Sequence, residues 1–229
     1  MNYFRSTPWI LPIILLASCT HSTSPGGDGS GTSGIWHIPG KGTDFLFRRT
    51  IGTIQDSADY QVVATGIQAG GKGNLVEMGV TEGSLVQWPG FLAFEANNDI
   101  SVGNVNDGNL SLVSWNRYPT GNHQVVTQTV ADSSLGAGLE LNQIANYSYV
   151  DSESLSTAVG TFSTLHTQVA IWKNTFDTSG YVNDTSRDTV DDWFAPSLGF
   201  LVKETERNHY DNGPDVITYD LDLIKYTPR

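Results

Sequence analysis

The stretch DDWFAPSLGFLVKE, residues 191–204, contains the closest approach to a catalytic motif in the sequence. A serine nucleophile elbow requires G-x-S-x-G, because the backbone must turn sharply between a strand and a helix. Ser197 has Ala195 at the first glycine position, and the residues after Gly199 alternate as a strand does. The pattern predicts a turn residue at Ser197, and we expect no catalytic residue in this stretch.

The segment FDTSGYVNDTSRDTVDDW, residues 176–193, could supply oxygen ligands to a calcium ion. Carboxylates in a flexible loop suit Ca²⁺, but the spacing D-x-[DN]-x-[DN]-G is missing and Arg187 lies among them. We therefore interpret the segment as a long solvated loop without a resident metal. The alternative calcium site would draw its ligands from Asp184, Asp188, Asp191 and Asp192.

The histidines and glutamates show no catalytic or metal-binding spacing. Neither H-x-H nor H-x-x-x-H occurs, and His166 alternates with Leu165, which predicts a solvent-facing side chain. A glycosidase needs two carboxylates across a cleft. No pair stands out, so we expect these glutamates at the surface: Glu77, Glu82, Glu95, Glu140, Glu153, Glu204 and Glu206. The sequence indicates no cofactor.

Aromatic residues are plentiful, with six Trp, nine Tyr and nine Phe. Trp88, Trp115, Trp172 and Trp193 lie in or beside strand-like segments, where large rings usually fill a sheet core. The alternatives are a platform for sugar rings or a cup for acyl chains.

The N-terminus reads as a targeting segment rather than as part of a fold. Residues 1–18 contain Arg5 and an apolar run of about ten residues, which suits a signal peptide and is too short to span a bilayer. Leu16-Ala17-Ser18-Cys19 is similar to a bacterial lipobox, which predicts lipidation of Cys19; an ordinary signal peptide is the alternative. Thr20 stands where an inner-membrane retention signal would place Asp, so we expect the outer membrane.

The charge and the single cysteine exclude several classes of protein. The formal net charge of −12 disfavours nucleic acid and anionic lipid as partners, because both repel an acidic surface. Cys19 is the only cysteine, so no internal disulfide can form and the core must stabilise the fold. The remaining membrane link is the N-terminal lipid.

The rest of the chain is predicted to form one β-domain. Residues 19–34 are the lipidated cysteine and a Gly/Ser-rich tether, and the domain spans residues 35–229. Nine short segments rich in Val, Ile, Thr and aromatics are separated by turn residues, and no convincing amphipathic helix occurs. Antiparallel sheets of this size must curl, close or stack. A closed transmembrane barrel is disfavoured because the strands are short.

Two stretches resemble a family of bacterial envelope lipoproteins. TAVGTFSTLHTQVAIW is similar to a V-P-A-G-T-F element followed by a long strand, and WFAPSLGFLVKE to W-[YF]-A-P-G-[VI]-G-x-V-K. Thr157-Ala158-Val159 and Ser197-Leu198 depart from these patterns. The matching residues are Gly160, Thr161, Phe162, Trp193, Phe194, Ala195, Pro196, Gly199, Val202 and Lys203.

The resemblance covers residues 155–226 and implies a fold like that of the lipoprotein carriers of the Lol system. We therefore expect a single antiparallel sheet of about nine to eleven strands, curved into a half-barrel, with few or no helices. The implied function is non-catalytic: the concave face would bind a hydrophobic small molecule or an envelope protein. The alternatives are a structural lipoprotein with a self-filled core, and a calcium-stabilised carbohydrate-binding protein or hydrolase.

Overall fold

The computed structural model describes residues 31–82, 90–106, 108–121, 124–129, 140–176, 179, 182–210 and 216–229. Cys19, His21 and His123 lie outside these ranges, as does the expected strand at residues 83–88. Within the described part no helix is long and apolar enough to cross a membrane.

All regular structure in these ranges is β-structure. A two-stranded sheet pairs β1 with β2, and a twelve-stranded antiparallel sheet runs in the order β8-β7-β6-β5-β4-β3-β14-β13-β12-β11-β10-β9. The strands are β1 (Gly31–Ser33), β2 (Trp36–Ile38), β3 (Asp44–Ile51), β4 (Ile54–Ala69), β5 (Lys72–Glu82), β6 (Phe91–Phe94), β7 (Ile100–Asn106), β8 (Asn109–Tyr118), β9 (Gln124–Thr129), β10 (Glu140–Thr157), β11 (Gly160–Phe176), β12 (Val182–Ala195), β13 (Phe200–Tyr210) and β14 (Val216–Thr227).

The prediction of an all-β, single-sheet antiparallel fold is confirmed, but the sheet has more strands than the nine to eleven expected. Four strands of the twelve-stranded sheet were missing from the sequence prediction: β5, β7, β10 and β12. All four are rich in Asn, Ser, Gly or Asp, which interrupt the apolar alternation by which strands are recognised. Paired backbone also begins at Gly31, four residues before Ile35.

The loop predicted over residues 176–193 is wrong, because β12 occupies most of it. This strand pairs with β11 on one side and β13 on the other. A central strand receives its backbone hydrogen bonds from both neighbours, so tertiary pairing outweighs the weak strand propensity of Asp and Ser.

The sheet curves further than the expected half-barrel and is nearly closed. Tyr118 at the end of β8 packs its ring 5.1 Å from that of Tyr147 in β10. The Thr167 hydroxyl in β11 donates to the Pro119 carbonyl at 3.4 Å. The strands at the two edges of the order therefore approach each other, which shields edges that would otherwise be open to pairing.

One end of the barrel is filled by the protein's own aromatic side chains. Trp36 is fully buried, lies 5.7 Å from the ring of Phe94 and donates its indole N–H to the Asn98 carbonyl at 2.7 Å. Phe45 and Phe200 pack with ring centroids 4.5 Å apart. This end, closed by the β1–β2 hairpin, is the plugged end of the barrel.

The resemblance motif is the turn that holds this hairpin. The Pro196 carbonyl accepts a hydrogen bond from the His37 N–H at 2.8 Å. Gly199 has a φ of +64°, and a Cβ there would lie 1.9 Å from the His37 carbonyl oxygen. Only glycine fits both the left-handed backbone and this close approach.

Candidate functional site: a buried carboxyl pair in the barrel

A row of inward-facing residues crosses the barrel on six adjacent strands. The register pairs each member with the next across β11, β12, β13, β14, β3 and β4, so their side chains lie on one face. We call this row the polar belt; its members are Thr167, Asp192, Glu204, Leu221, Arg49 and Asp56.

The belt has three carboxyl groups and one cation. Arg49 is committed to Asp56, with its Nε 2.9 Å from the Asp56 Oδ1 and a second guanidinium contact to the same carboxylate. Asp192 and Glu204 lie on the neighbouring strands and are 2% and 8% exposed. These two carboxyls therefore face each other in the interior without a paired cation in the belt.

Asp192 is the less satisfied of the two. No donor group among the described residues bonds to either of its carboxyl oxygens, and the group within hydrogen-bonding reach is another carboxyl, that of Glu204. Glu204 accepts a hydrogen bond from the Tyr219 hydroxyl. Buried polar atoms without partners are rare in folded proteins and indicate an ion, a water or a ligand group.

The interior environment raises the pKa of both carboxyls. For Asp192 the cause is first its burial, then the charge of Glu204, its cross-strand neighbour, and then Asp191. Burial likewise raises the pKa of Glu204, although the hydrogen bond from Tyr219 opposes the shift. Two carboxyls this close cannot both ionise readily, so the pair holds a shared proton.

Tyrosines surround the pair and are neutral at ordinary pH. Burial, and secondarily Glu204 or Asp192, raises the pKa of Tyr60, Tyr147 and Tyr219, and the pKa of Tyr118 rises for the same reasons. The site thus combines aromatic walls with two acceptor groups. Such a lining fits an apolar molecule that bears a hydrogen-bond donor or a positive charge.

The end of the barrel opposite the plug exposes apolar side chains. Ile51 and Ile54 are directly paired across the β3–β4 turn, and β14 next to them begins at Val216. The exposed fractions are 40% for Ile51, 67% for Ile54, 49% for Val216 and 53% for Ile217. We call these four residues the apolar rim.

The structure does not gather the calcium candidates into one site. Successive residues of β12 face opposite sides, so Asp188 and Asp192 point inward and Asp191 outward. The side chain of Asp184 lies outside the described residues. The calcium hypothesis placed these carboxylates in a loop, whereas the structure places them on β12.

The turn residue and the resemblance residues predicted from the sequence lie in the strands and turns of the sheet. Ser197 is exposed in the turn before β13, which confirms its prediction as a turn residue. The resemblance residues lie at two places in the sheet. Strand β11 begins with Gly160, Thr161 and Phe162, and strand β12 ends with Trp193, Phe194 and Ala195. The turn that follows contains Pro196 and Gly199, and β13 contains Val202 and Lys203.

Two expectations about charged residues need correction. Glu204 was expected at the surface and is buried, because β13 turns it toward the barrel interior. His166 was expected to face solvent; it lies on the outer face, yet its side chain is only 15% exposed, because Trp193 stacks on the imidazole ring.

Asp191 contrasts with its neighbour Asp192. Burial alone would raise the pKa of Asp191, but hydrogen bonds from His166 at 2.9 Å and Gln168 at 3.0 Å, with the charge of Arg207, lower it overall. Adjacent aspartates on one strand thus have opposite pKa shifts, since one has donors and the other has none.

Glu204, Tyr118, Tyr147 and Tyr219 were not recognised as site residues from the sequence. The sequence signal for Tyr219 is its position on the same strand face as Leu221 and Leu223. The signal for Glu204 is its position two residues after the buried run from Phe200 to Val202. Its partner on β12 could not be identified, because that segment was interpreted as a loop.

No family model and no curated protein matches the chain. In the comparison with solved structures, it is similar to a candidate lipoprotein from Parabacteroides distasonis, with 15% identity, a TM-score of 0.47, and coverage of 86% of this chain and 100% of that one. It is also similar to a candidate exported protein with a YmcC-like fold from Bacteroides fragilis, with 14% identity, a TM-score of 0.38, and coverage of 82% and 97%. Neither description names a ligand or an activity.

Proposed function

We propose that the protein is a non-catalytic, lipid-anchored protein of the cell envelope that binds a small amphipathic cation inside its barrel. The observation that supports this is Asp192, a carboxyl that is 2% exposed, faces a second carboxyl in Glu204 and has no bonded donor group in the described part of the chain. A ligand ammonium group would donate to this carboxyl and replace the shared proton. The apolar body of the ligand would contact the tyrosine rings and pass the apolar rim.

This ligand differs in one respect from the hydrophobic molecule expected from the resemblance. An acyl chain alone would leave Asp192 without a partner, which costs about 1–3 kcal/mol. An amine-bearing ligand avoids that cost. The same apolar walls serve either molecule, so the charged group is the distinguishing feature.

Thermal unfolding with a matched pair of probes tests the proposal. Hexylamine is expected to raise the melting temperature of the full chain in detergent, and hexanol, which has the same carbon chain without the charge, is expected to raise it much less. Stabilisation follows because a ligand that binds only the folded state adds RT ln(1 + [L]/Kd). The Asp192→Asn variant should lose the difference between the two probes.

Equal shifts with both probes would support a purely hydrophobic ligand instead. The absence of any shift would support the second candidate, a structural lipoprotein. That candidate is favoured by the plugged end, where the protein's own aromatic side chains, including the fully buried Trp36, Phe45 and Phe200, fill the barrel.

The anchoring part of the proposal rests on Cys19, which lies outside the described residues. Replacing Cys19 with alanine is expected to move the protein from the membrane fraction to the soluble fraction, because the acidic chain has no other attraction to anionic lipid. Fractionation with immunoblotting measures this. Retention of Cys19→Ala in membranes would contradict lipid anchoring.

A further inference from the structure

A second cluster of ligand-type side chains lies on the outer face of the sheet, away from the barrel interior. Asp151 in β10 is the direct cross-strand partner of His166 in β11, after a register shift between Tyr149 and Asp151. Glu153 follows two residues later on the same face of β10. One ligand atom from each of the three residues lies within 4.8 Å of the other two.

The hydrogen bond to Asp191 sets the tautomer of His166. Its Nε2 lies 2.9 Å from the Asp191 Oδ1, and that carboxylate is held in turn by Gln168 and Arg207. Donation of Nε2–H to Asp191 leaves the Nδ1 lone pair facing Asp151, whose Oδ1 is 3.5 Å away. An imidazole that binds a metal usually donates its other ring N–H to a carboxylate, as His166 does here to Asp191.

Trp193 orients two of the three groups at once. Its ring stacks on the imidazole with centroids 4.5 Å apart and an interplanar angle of 11°. Its indole N–H donates to one oxygen of Glu153. One ligand atom each from Glu153, Asp151 and His166 converge within 4.8 Å, and the His166 Nδ1 lies 3.5 Å from the Asp151 Oδ1.

We propose that Asp151, Glu153 and His166 bind a divalent transition-metal ion, with Zn²⁺ as the best fit. Zinc takes imidazole nitrogen and carboxylate oxygen at about 2.0–2.2 Å, and ligand atoms about 3.4 Å apart suit this geometry. Two carboxylates neutralise the charge of the ion, and water fills the fourth position. The ion enters from the side of Asp151, whose side chain is 59% exposed. This site is independent of the interior site.

Titration calorimetry of Zn²⁺ into the tag-free, chelator-stripped full chain in detergent tests the site. We expect one ion per chain. His166→Ala should lower the zinc affinity by more than about 100-fold, because replacing a residue that only contacts a metal ligand already lowers metal affinity about 10–100-fold. His209→Ala is the matched control and should bind as the native chain does, since His209 contacts Thr189 elsewhere on the sheet.

A conservative variant separates metal binding from folding. Trp193→Phe keeps a phenyl ring beside His166 and removes the pyrrole part of the indole with the N–H that orients Glu153, so about a 10-fold loss of affinity is expected; circular dichroism checks that the variant is folded. With Co²⁺, the visible bands of a nitrogen-bound ion should appear in the native chain and disappear in His166→Ala.

The competing occupant is a proton. An imidazolium between Asp151 and Asp191 would also satisfy the cluster, and in that case the native chain would bind no Zn²⁺. That result would overturn the metal site. Zinc affinity unchanged in His166→Ala, or lost equally in His209→Ala, would overturn it as well.

Discussion

Gly199→Ala is expected to destabilise the protein by more than about 3 kcal/mol. A left-handed backbone costs an alanine about 1–2 kcal/mol by itself, and Gly199 has a φ of +64°. The added Cβ would also lie 1.9 Å from the His37 carbonyl oxygen, which is backbone and cannot rotate away. The β1–β2 hairpin must therefore move, and the burial of Trp36 is lost with it.

Gly52→Ala is the matched control for this change. Gly52 has a φ of +58°, and a Cβ there meets nothing within 4 Å. The control keeps the backbone cost and removes the clash, so about 1–2 kcal/mol is expected. Urea unfolding of both variants measures the difference. Equal losses in the two variants would show that close approach to His37 contributes nothing.

The turn at residues 196–199 was predictable from the sequence, but its contact with the β1–β2 hairpin was not. Pro196 and Gly199 identified the turn and the strand after it, because their backbone preferences are local. The contact of this turn with His37 could not be predicted from these residues, since His37 lies about 160 residues earlier in the chain. The closeness of such distant segments is a property of the fold and leaves no local pattern.

The barrel interior shows the same limit for the candidate site. The inward faces of β3 and β14 alternate visibly, so Phe45, Phe47, Leu221 and Leu223 could be recognised as core positions. Asp192 and Glu204 are acidic residues at inward-facing positions, and the usual preference of acidic side chains is for the surface. Only the pairing of β12 with β13 makes them neighbours.

The Asp192–Glu204 pair is expected to make the protein less stable as the pH rises. A carboxyl whose pKa is raised in the folded state binds a proton that the unfolded chain has already lost. Its stabilising contribution is complete below the unfolded pKa of about 4 and disappears as the pH rises through the folded pKa. The free energy of unfolding should therefore fall from about pH 4 upward.

Asp192→Asn removes the ionisation and supplies an amide donor to Glu204. The variant should be more stable than the native chain by about 1–3 kcal/mol at pH 8, the cost of a buried polar group without a partner. The gap between the two proteins should narrow toward pH 4, because the native pair is then protonated. Urea unfolding across this pH range measures both curves.

Asp191→Asn is the control on the next residue, with the opposite sign. The lowered pKa of Asp191 means that its carboxylate stabilises the fold above pH 4 and loses that contribution only as the pH falls through its folded pKa. Its replacement should therefore destabilise the protein at neutral pH, since the amide accepts poorly from His166 and Arg207. If Asp192→Asn were destabilising as well, Asp192 would have a donor in solution, and the interior would hold no carboxyl in need of a cation.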